Sequence, residues 1–116
     1  MPIFNVWDVV KAPFPYADRP VRQWRPALVV AAGDIQQRHS LVWVLMITSA
    51  ENRSWPADVA VSDLSVAGLP APSVVRTAKV AVVDARDLEP LGVLPVADQS
   101  AVAARLSAHL ADALNV

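Results

Sequence analysis

Hydrophobic positions in this chain fall into short runs divided by polar, proline-rich or glycine-containing stretches, a pattern of strands and turns. Phe4 to Ala12 mixes Val, Phe and Trp with single polar residues and predicts a first strand, stopped by Pro13. Residues from Pro13 to Trp24 hold three prolines, Asp18 and two arginines with no helical period, which predicts a long loop of the functional or mobile kind. Pro26 to Ala32 predicts a second strand, ended by the turn pair Gly33-Asp34. Leu41 to Thr48 predicts a third; its apolar run reaches Ile47 on both faces, so it is expected to be central and covered on each side.

Beyond it, Ala50 to Pro56 is a polar loop containing Trp55, and Asp58 to Val61 is a short strand. Asp63 to Gly68 has the makeup of one helical turn, and Pro70 with Pro72 holds the backbone extended into Ser73 to Arg76. Val80 to Asp84 is a further strand, and Leu91 to Leu94, between Pro90 and Pro95, an edge segment. In the last stretch Val102, Leu106, Leu110 and Ala113 recur at helical spacing, opposite Arg105, Ala108 and Asp112. That predicts an amphipathic helix with Asp98 as its N-cap and Asn115 at its stop. Several short strands followed by one helix indicate a mainly β, α+β domain: a small, largely antiparallel barrel or open sheet with the helix on one face. Residues 1–116 form a single domain, since neither a repeat nor a linker interrupts the pattern.

Composition narrows the chemistry. The chain lacks cysteine and has two histidines far apart, so thiolate chemistry is excluded and neither a metal site nor another cofactor is expected. Its longest apolar run is far below the roughly 20 residues a membrane helix needs, and its start lacks a basic leader. A cytoplasmic protein without membrane contact is expected. A 54% hydrophobic content is high for one small core and points to a buried interface between copies, hence a homodimer.

The net charge of −1 divides unevenly: +2 over residues 1–57 and −3 over the remainder. Eight of the ten basic residues are arginines, whose forked guanidinium suits phosphate, so a local nucleic-acid site is compatible with the composition. Two strand ends carry candidate chemistry. Arg25 stands directly before Pro26, a residue tolerated at the first position of a strand, which places the charge at a strand mouth. Thr48 and Ser49 end the central apolar run in two hydroxyls, and pairing of these strands would make Arg25 and Thr48 neighbours.

The ordered pieces Trp7-Asp8-Val9-Val10, Pro13-Phe14-Pro15, Arg25-Pro26-Ala27-Leu28-Val29-Val30, Ile47-Thr48-Ser49, Gly68-Leu69-Pro70 and Ser73-Val74-Val75-Arg76, with a terminal helix, resemble the MazF/PemK family of toxin endoribonucleases over nearly the whole chain. The resemblance implies an SH3-like barrel, a homodimer, metal-independent cleavage of single-stranded RNA, and inhibition by a cognate antitoxin. Two places depart from the family pattern. Trp7 stands where a glycine is common, and Ala78 and Ala81 stand where an acidic residue and an arginine are common, so no carboxylate acid/base role carries over.

Metal-free RNA cleavage asks little of a protein. The ribose 2′-OH is a tethered nucleophile, which leaves orientation and stabilisation of phosphorane charge to the side chains. Arg25 is assigned to the phosphate, and to general acid only as the resemblance suggests; Thr48 donates to the same phosphate. Ser49 is an accessory, and Arg22, Trp24, Arg53 and Arg76 are expected to bind substrate. Trp24 and Trp55 either stack on bases or pack on the barrel or in a dimer seam, whereas Trp7 and Trp43 are expected in the core. His39, in a turn, and His109, on the helix, read as surface residues, and Asp84, Asp87 and Glu89 as a solvated turn. Arg19 and Arg22, in the loop leading to Arg25, are expected to pair with carboxylates of an antitoxin tail that folds on binding. Two other functions fit the same small fold: a CcdB-like gyrase poison, and a non-catalytic binding module.

Overall fold

The computed structural model describes residues 3–15 and 22–115, with the backbone alone for Pro15 and Arg22. Six strands form one antiparallel sheet: β1 (Asp8–Pro15), β2 (Arg22–Ala31), β3 (Leu41–Ser49), β4 (Asp58–Ala60), β5 (Ser73–Asp84) and β6 (Glu89–Val93). Their order across the sheet is β4-β5-β3-β2-β1-β6. Among the described residues three α-helices accompany them: α1 (Gly33–His39), α2 (Leu64–Ala67) and α3 (Val96–Leu114). The architecture is mainly β, α+β, with a C-terminal helix.

Alternation along the strands divides the apolar residues between two cores, one on each face of the sheet. Val10, Ala12, Phe14, Ala27, Val29, Val42, Val44 and Met46 pack on one face with Phe4, Ala85 and Leu88. Val9, Leu28, Leu45, Ile47, Val59 and Val75 pack on the other, beneath Val102 of α3 and beside Ala67 and Leu69. β3 feeds both, which is why its sequence is apolar without alternation.

Several boundaries differ from expectation for identifiable reasons. Pro13 does not stop β1, and Pro26 lies inside β2 rather than opening it, paired with Lys11 of β1. The missing N–H is tolerated because the β2–β3 ladder reaches only to Ala27, opposite Met46, and Pro26 stands just past its end. The two extended stretches of residues 73–84 are one strand, interrupted where Thr77, Ala78 and Lys79 are inserted between the pairs Met46–Arg76 and Leu45–Val80. The Gly33-Asp34 turn is the start of α1, a helix so polar that the apolar period betrays nothing. It is anchored by Gln36, whose amide donates to the Phe4 carbonyl at 2.8 Å and accepts from the Phe4 N–H at 2.9 Å. His39 is accordingly on this helix rather than in a turn.

α3 begins at Val96 after Pro95, so Asp98 is not the N-cap. Asp98 is instead buried in the first turn, where one carboxylate oxygen accepts from both the N–H and the hydroxyl of Ser62, at 2.9 and 3.0 Å. Asn115 does end the helix in the left-handed conformation, and α2 is the single turn expected, capped by the Asp63 carboxylate and Gly68. Trp43 was expected in the core and is 42% exposed. It lies beyond the part of β3 that Val102 covers, at the mouth of an apolar cavity of about 310 Å³ shared with Val80, Leu106, His109 and Leu110. Among the described residues no helix is long and apolar enough to cross a membrane.

Candidate functional site

Two strands stop pairing at one end of the sheet, and a groove opens there. Its walls are Arg25 and Pro26 from β2, residues 47–49 from the end of β3, and residues 69–73 between α2 and β5, enclosing about 170 Å³. Arg25 and Thr48, 23 positions apart, thus meet in one groove, with Ser49 beside them. Antiparallel pairing accounts for this: Arg25 and Thr48 each stand two residues past the terminal pair Ala27–Met46, on the same face.

The groove suits an anion. Among its described lining residues Arg25 carries the sole charge, accompanied by the hydroxyls of Thr48, Ser49 and Ser73. Arg25 is half-buried and one guanidinium nitrogen, Nη2, donates to Gln23 Oε1 at 3.1 Å, which restrains the fork. Thr48 is buried, and its Oγ1 accepts from Asn52 Nδ2 at 2.7 Å. Ser49 Oγ accepts from the Glu51 N–H at 3.2 Å, and Ser73 Oγ donates to the Ala71 carbonyl at 2.8 Å.

The outer wall of the groove is set by close backbone contact. Gly68 has φ +71° as the C-cap of α2, and a Cβ there would strike the Leu91 carbonyl oxygen of β6. Gly92, across the contact, would place a Cβ 2.5 Å from Val66 O and from the Ala67 carbonyl carbon. Only glycine lets α2 and β6 approach so closely, and this approach fixes the path of residues 69–73 along the groove.

Arg76, expected to bind substrate, is not presented to the groove. It is 7% exposed and its guanidinium is held from three sides. Nε and Nη2 donate to the two Asp58 carboxylate oxygens at 3.3 and 3.1 Å, and Nη2 also donates to the Arg53 carbonyl at 2.8 Å. The Trp55 ring lies against it, 4.3 Å from centre to guanidinium carbon. Arg76 is therefore a clamp on the β3–β4 loop, and Trp55 packs on it by the second of its two expected alternatives. The Arg53 side chain is exposed on that loop and Trp24 is half-exposed on β2; neither lines the groove. The Arg22 side chain and the whole of Arg19 lie outside the described residues.

Ala78 is exposed at the interruption of β5 and Ala81 is buried opposite Val44, so neither position borders the groove. His109, read as a surface residue, is exposed but its Nε2 meets Thr77 Oγ1 at 3.1 Å. Asn52 escaped notice in the sequence, where an asparagine in a polar loop is unremarkable. Its spacing of four from Thr48 was the available signal. Among the described residues no group of three His, Cys, Asp or Glu could hold a metal ion.

A family model for the PemK-like, MazF-like toxin of type II toxin–antitoxin systems matches residues 5–110. Comparison with curated proteins finds no match. Among solved structures, the MazF of Deinococcus radiodurans is similar at 22% identity and a TM-score of 0.76, over 95% of this chain and 98% of that one. The toxin MazF-mt6 of Mycobacterium tuberculosis is similar at 24% identity and a TM-score of 0.68, over 87% and 93%. An endoribonuclease from a mycobacterial species, crystallised in complex with its cognate antitoxin, is similar at 18% identity and a TM-score of 0.69, over 95% of each chain. Similarity at this level of identity concerns the fold.

Proposed function

The chain belongs to the PemK-like, MazF-like toxin family of type II toxin–antitoxin systems, and we propose that it is a metal-independent endoribonuclease acting on single-stranded RNA. The observation that carries the reading is the convergence of Arg25 and Thr48 on one groove whose described lining holds hydroxyls and one positive charge. In the proposed reaction the ribose 2′-oxygen gives its proton to water and bonds to the adjacent phosphorus, the bond to the 5′-oxygen breaks, and that oxygen takes a proton from water, leaving a 2′,3′-cyclic phosphate and a 5′-hydroxyl. Arg25 stabilises the phosphorane by charge-assisted hydrogen bonds, Thr48 donates to a phosphate oxygen, and Ser49 assists. No carboxylate is among the described lining residues, and none is assigned a role. Arg22, Trp24 and Arg53 contact flanking nucleotides; Arg76 acts by holding the β3–β4 loop.

The same reading includes the SH3-like barrel and cytoplasmic homodimer of the family. Self-association is supported by an apolar belt, in which Trp43, Val80, Val82, Leu110 and Leu114 are between 39 and 59% exposed, beside the cavity under α3. A second copy covering this belt would remove it from water. A cognate antitoxin is proposed to inhibit by laying an acidic, apolar tail on Arg19 and Arg22; that part rests on sequence alone.

Incubation of the purified chain with a long single-stranded RNA in EDTA tests the reading. The wild type is expected to cut, and Arg25→Ala to abolish cutting with its circular dichroism and melting temperature unchanged, since a residue at the sheet's rim adds little to the core. Arg25→Lys restores activity only in part, because a point charge does not reproduce the fork. Intact RNA with the wild type would end the nuclease reading, and gyrase inhibition without cleavage would replace it by the poison.

A further inference from the structure

Thr48 donates to a phosphate only if its proton faces the groove. A hydroxyl has one proton and two lone pairs, so its direction is set by its neighbours. Asn52 supplies the deciding neighbour: its Nδ2 donates to Thr48 Oγ1 at 2.7 Å. Among the described residues this is the one hydrogen bond of the Thr48 side chain, which is 6% exposed and borders the groove with Arg25. With a lone pair occupied by the amide and no acceptor among the described residues drawing the proton away, the O–H is left to turn into the groove.

We propose that Asn52 is a positioning residue, which polarises Thr48 so that its hydroxyl proton is presented to an RNA phosphate beside Arg25. The proposal rests on the nuclease reading and adds to it a residue outside the groove lining. The loop is built to hold Asn52 there. Its own N–H donates to the Ser49 carbonyl at 3.1 Å, and the Glu51 N–H donates to Ser49 Oγ at 3.2 Å. On the far side the Arg53 carbonyl is fixed by buried Arg76 at 2.8 Å. The amide is thus secured on both flanks, by β3 and by β5. The reverse orientation, with Oδ1 accepting from Thr48, would take the proton out of the groove, so the polarity of this one bond decides whether Thr48 is a donor to substrate.

The test is a double-mutant cycle on the full chain, read as kcat and KM on an RNA oligonucleotide spanning a site mapped from the long transcript in EDTA. Asn52→Ala is expected to lower kcat about fivefold with KM nearly unchanged, since about 1 kcal/mol is typical of one aligned hydrogen bond. Added to Thr48→Val, it costs nothing further. Asn52→Asp is expected to be slower than Asn52→Ala at neutral pH, because an ionised carboxylate only accepts and captures the Thr48 proton. Its deficit narrows as the pH falls toward about 4, where a carboxyl can donate again. Asn52 is exposed, so melting temperatures near wild type accompany these effects. An Asn52→Ala variant cutting at the parental rate overturns the proposal, as does an equal loss in the Thr48→Val background or an Asn52→Asp variant as active as wild type. Thr48→Val cutting normally also overturns it. A wild type that leaves RNA intact brings down the nuclease reading itself.

Discussion

Replacing Arg76 with alanine separates a structural arginine from a functional one. The guanidinium makes two contacts to Asp58 and one to the Arg53 carbonyl and lies under Trp55, and both partners of the ion pair have side chains 8% exposed. Truncation leaves the Asp58 carboxylate shielded from water without its cation, a change that costs about 3–5 kcal/mol in comparable buried pairs. With an unfolding entropy of roughly 2.1 cal/mol/K per residue over this chain, that loss lowers Tm by roughly 12–20 °C. Thermal unfolding followed by circular dichroism reads it directly. Adding Asp58→Asn should recover part of the loss, since the buried charge disappears while an oxygen that accepts from the Trp55 backbone N–H remains. The deficit should persist in concentrated salt, which screens exposed pairs far more than buried ones. An Arg76→Ala variant melting within about 4 °C of the parent, equivalent to roughly 1 kcal/mol, would refute the reasoning and return Arg76 to the surface, available to RNA.

Gly92→Ala is expected to destabilise by about 2–3 kcal/mol, as overpacking against the α2 backbone does, and to lower RNA cleavage by shifting residues 69–73; equilibrium urea unfolding checks the first effect. Asp84 is held at about 2 by hydrogen bonds from the Arg86 side chain and backbone N–H. Its folded pKa lies below the ordinary carboxyl value of about 3.9, so the stabilisation is present above that value and lost as pH falls through about 2. Carboxyl NMR titration of Arg86→Ala should show Asp84 moving up toward the ordinary range. Light scattering should give twice the monomer mass at micromolar concentration, and Trp43→Glu should shift it toward the monomer by charging the apolar belt.

Strands were legible where β-branched residues run between prolines and polar turns, and the terminal helix where leucines recur every four residues. Three features were not, each for a physical cause. α1 buries one glutamine rather than a stripe of apolar side chains, so its helicity depends on Gln36 reaching Phe4, 32 residues away. β5 reads as two segments because its inserted residues break the alternation that a continuous ladder imposes. Trp43 looked like core because size and apolarity do not say where a covering helix stops. Within the site, Arg25 and Thr48 were visible as polar endings of apolar strands. Asn52 was not, since its value lies in the direction of one hydrogen bond, and Arg76 was misplaced because its partner Asp58 is 18 residues upstream.

The register explains why two arginines on one face of the sheet differ in kind. Reading across the strands, one row runs Val10, Ala27, Met46, Arg76, Asp58. Arg76 thus stands directly opposite a carboxylate on the edge strand β4, and burial under Trp55 turns that cross-strand pair into an internal clamp. Two residues toward the open end, Arg25 stands opposite Ala12, while Thr48 stands opposite Val74 and Val74 opposite Ala60. These cross-strand pairs contain no carboxylate, and here the β2–β3 ladder has already ended, so the arginine borders the groove together with the hydroxyls and donates to the Gln23 amide oxygen. A guanidinium buried directly opposite a carboxylate is committed to it, whereas one that borders a groove with hydroxyls is placed where a phosphate can reach it. The step of two residues, which preserves the face but changes the row, divides a charge that supports the fold from one that can meet a phosphate. The clamp then serves the site through the loop it holds: Arg76 fixes Arg53, the loop carries Asn52, and Asn52 sets the hydroxyl of Thr48.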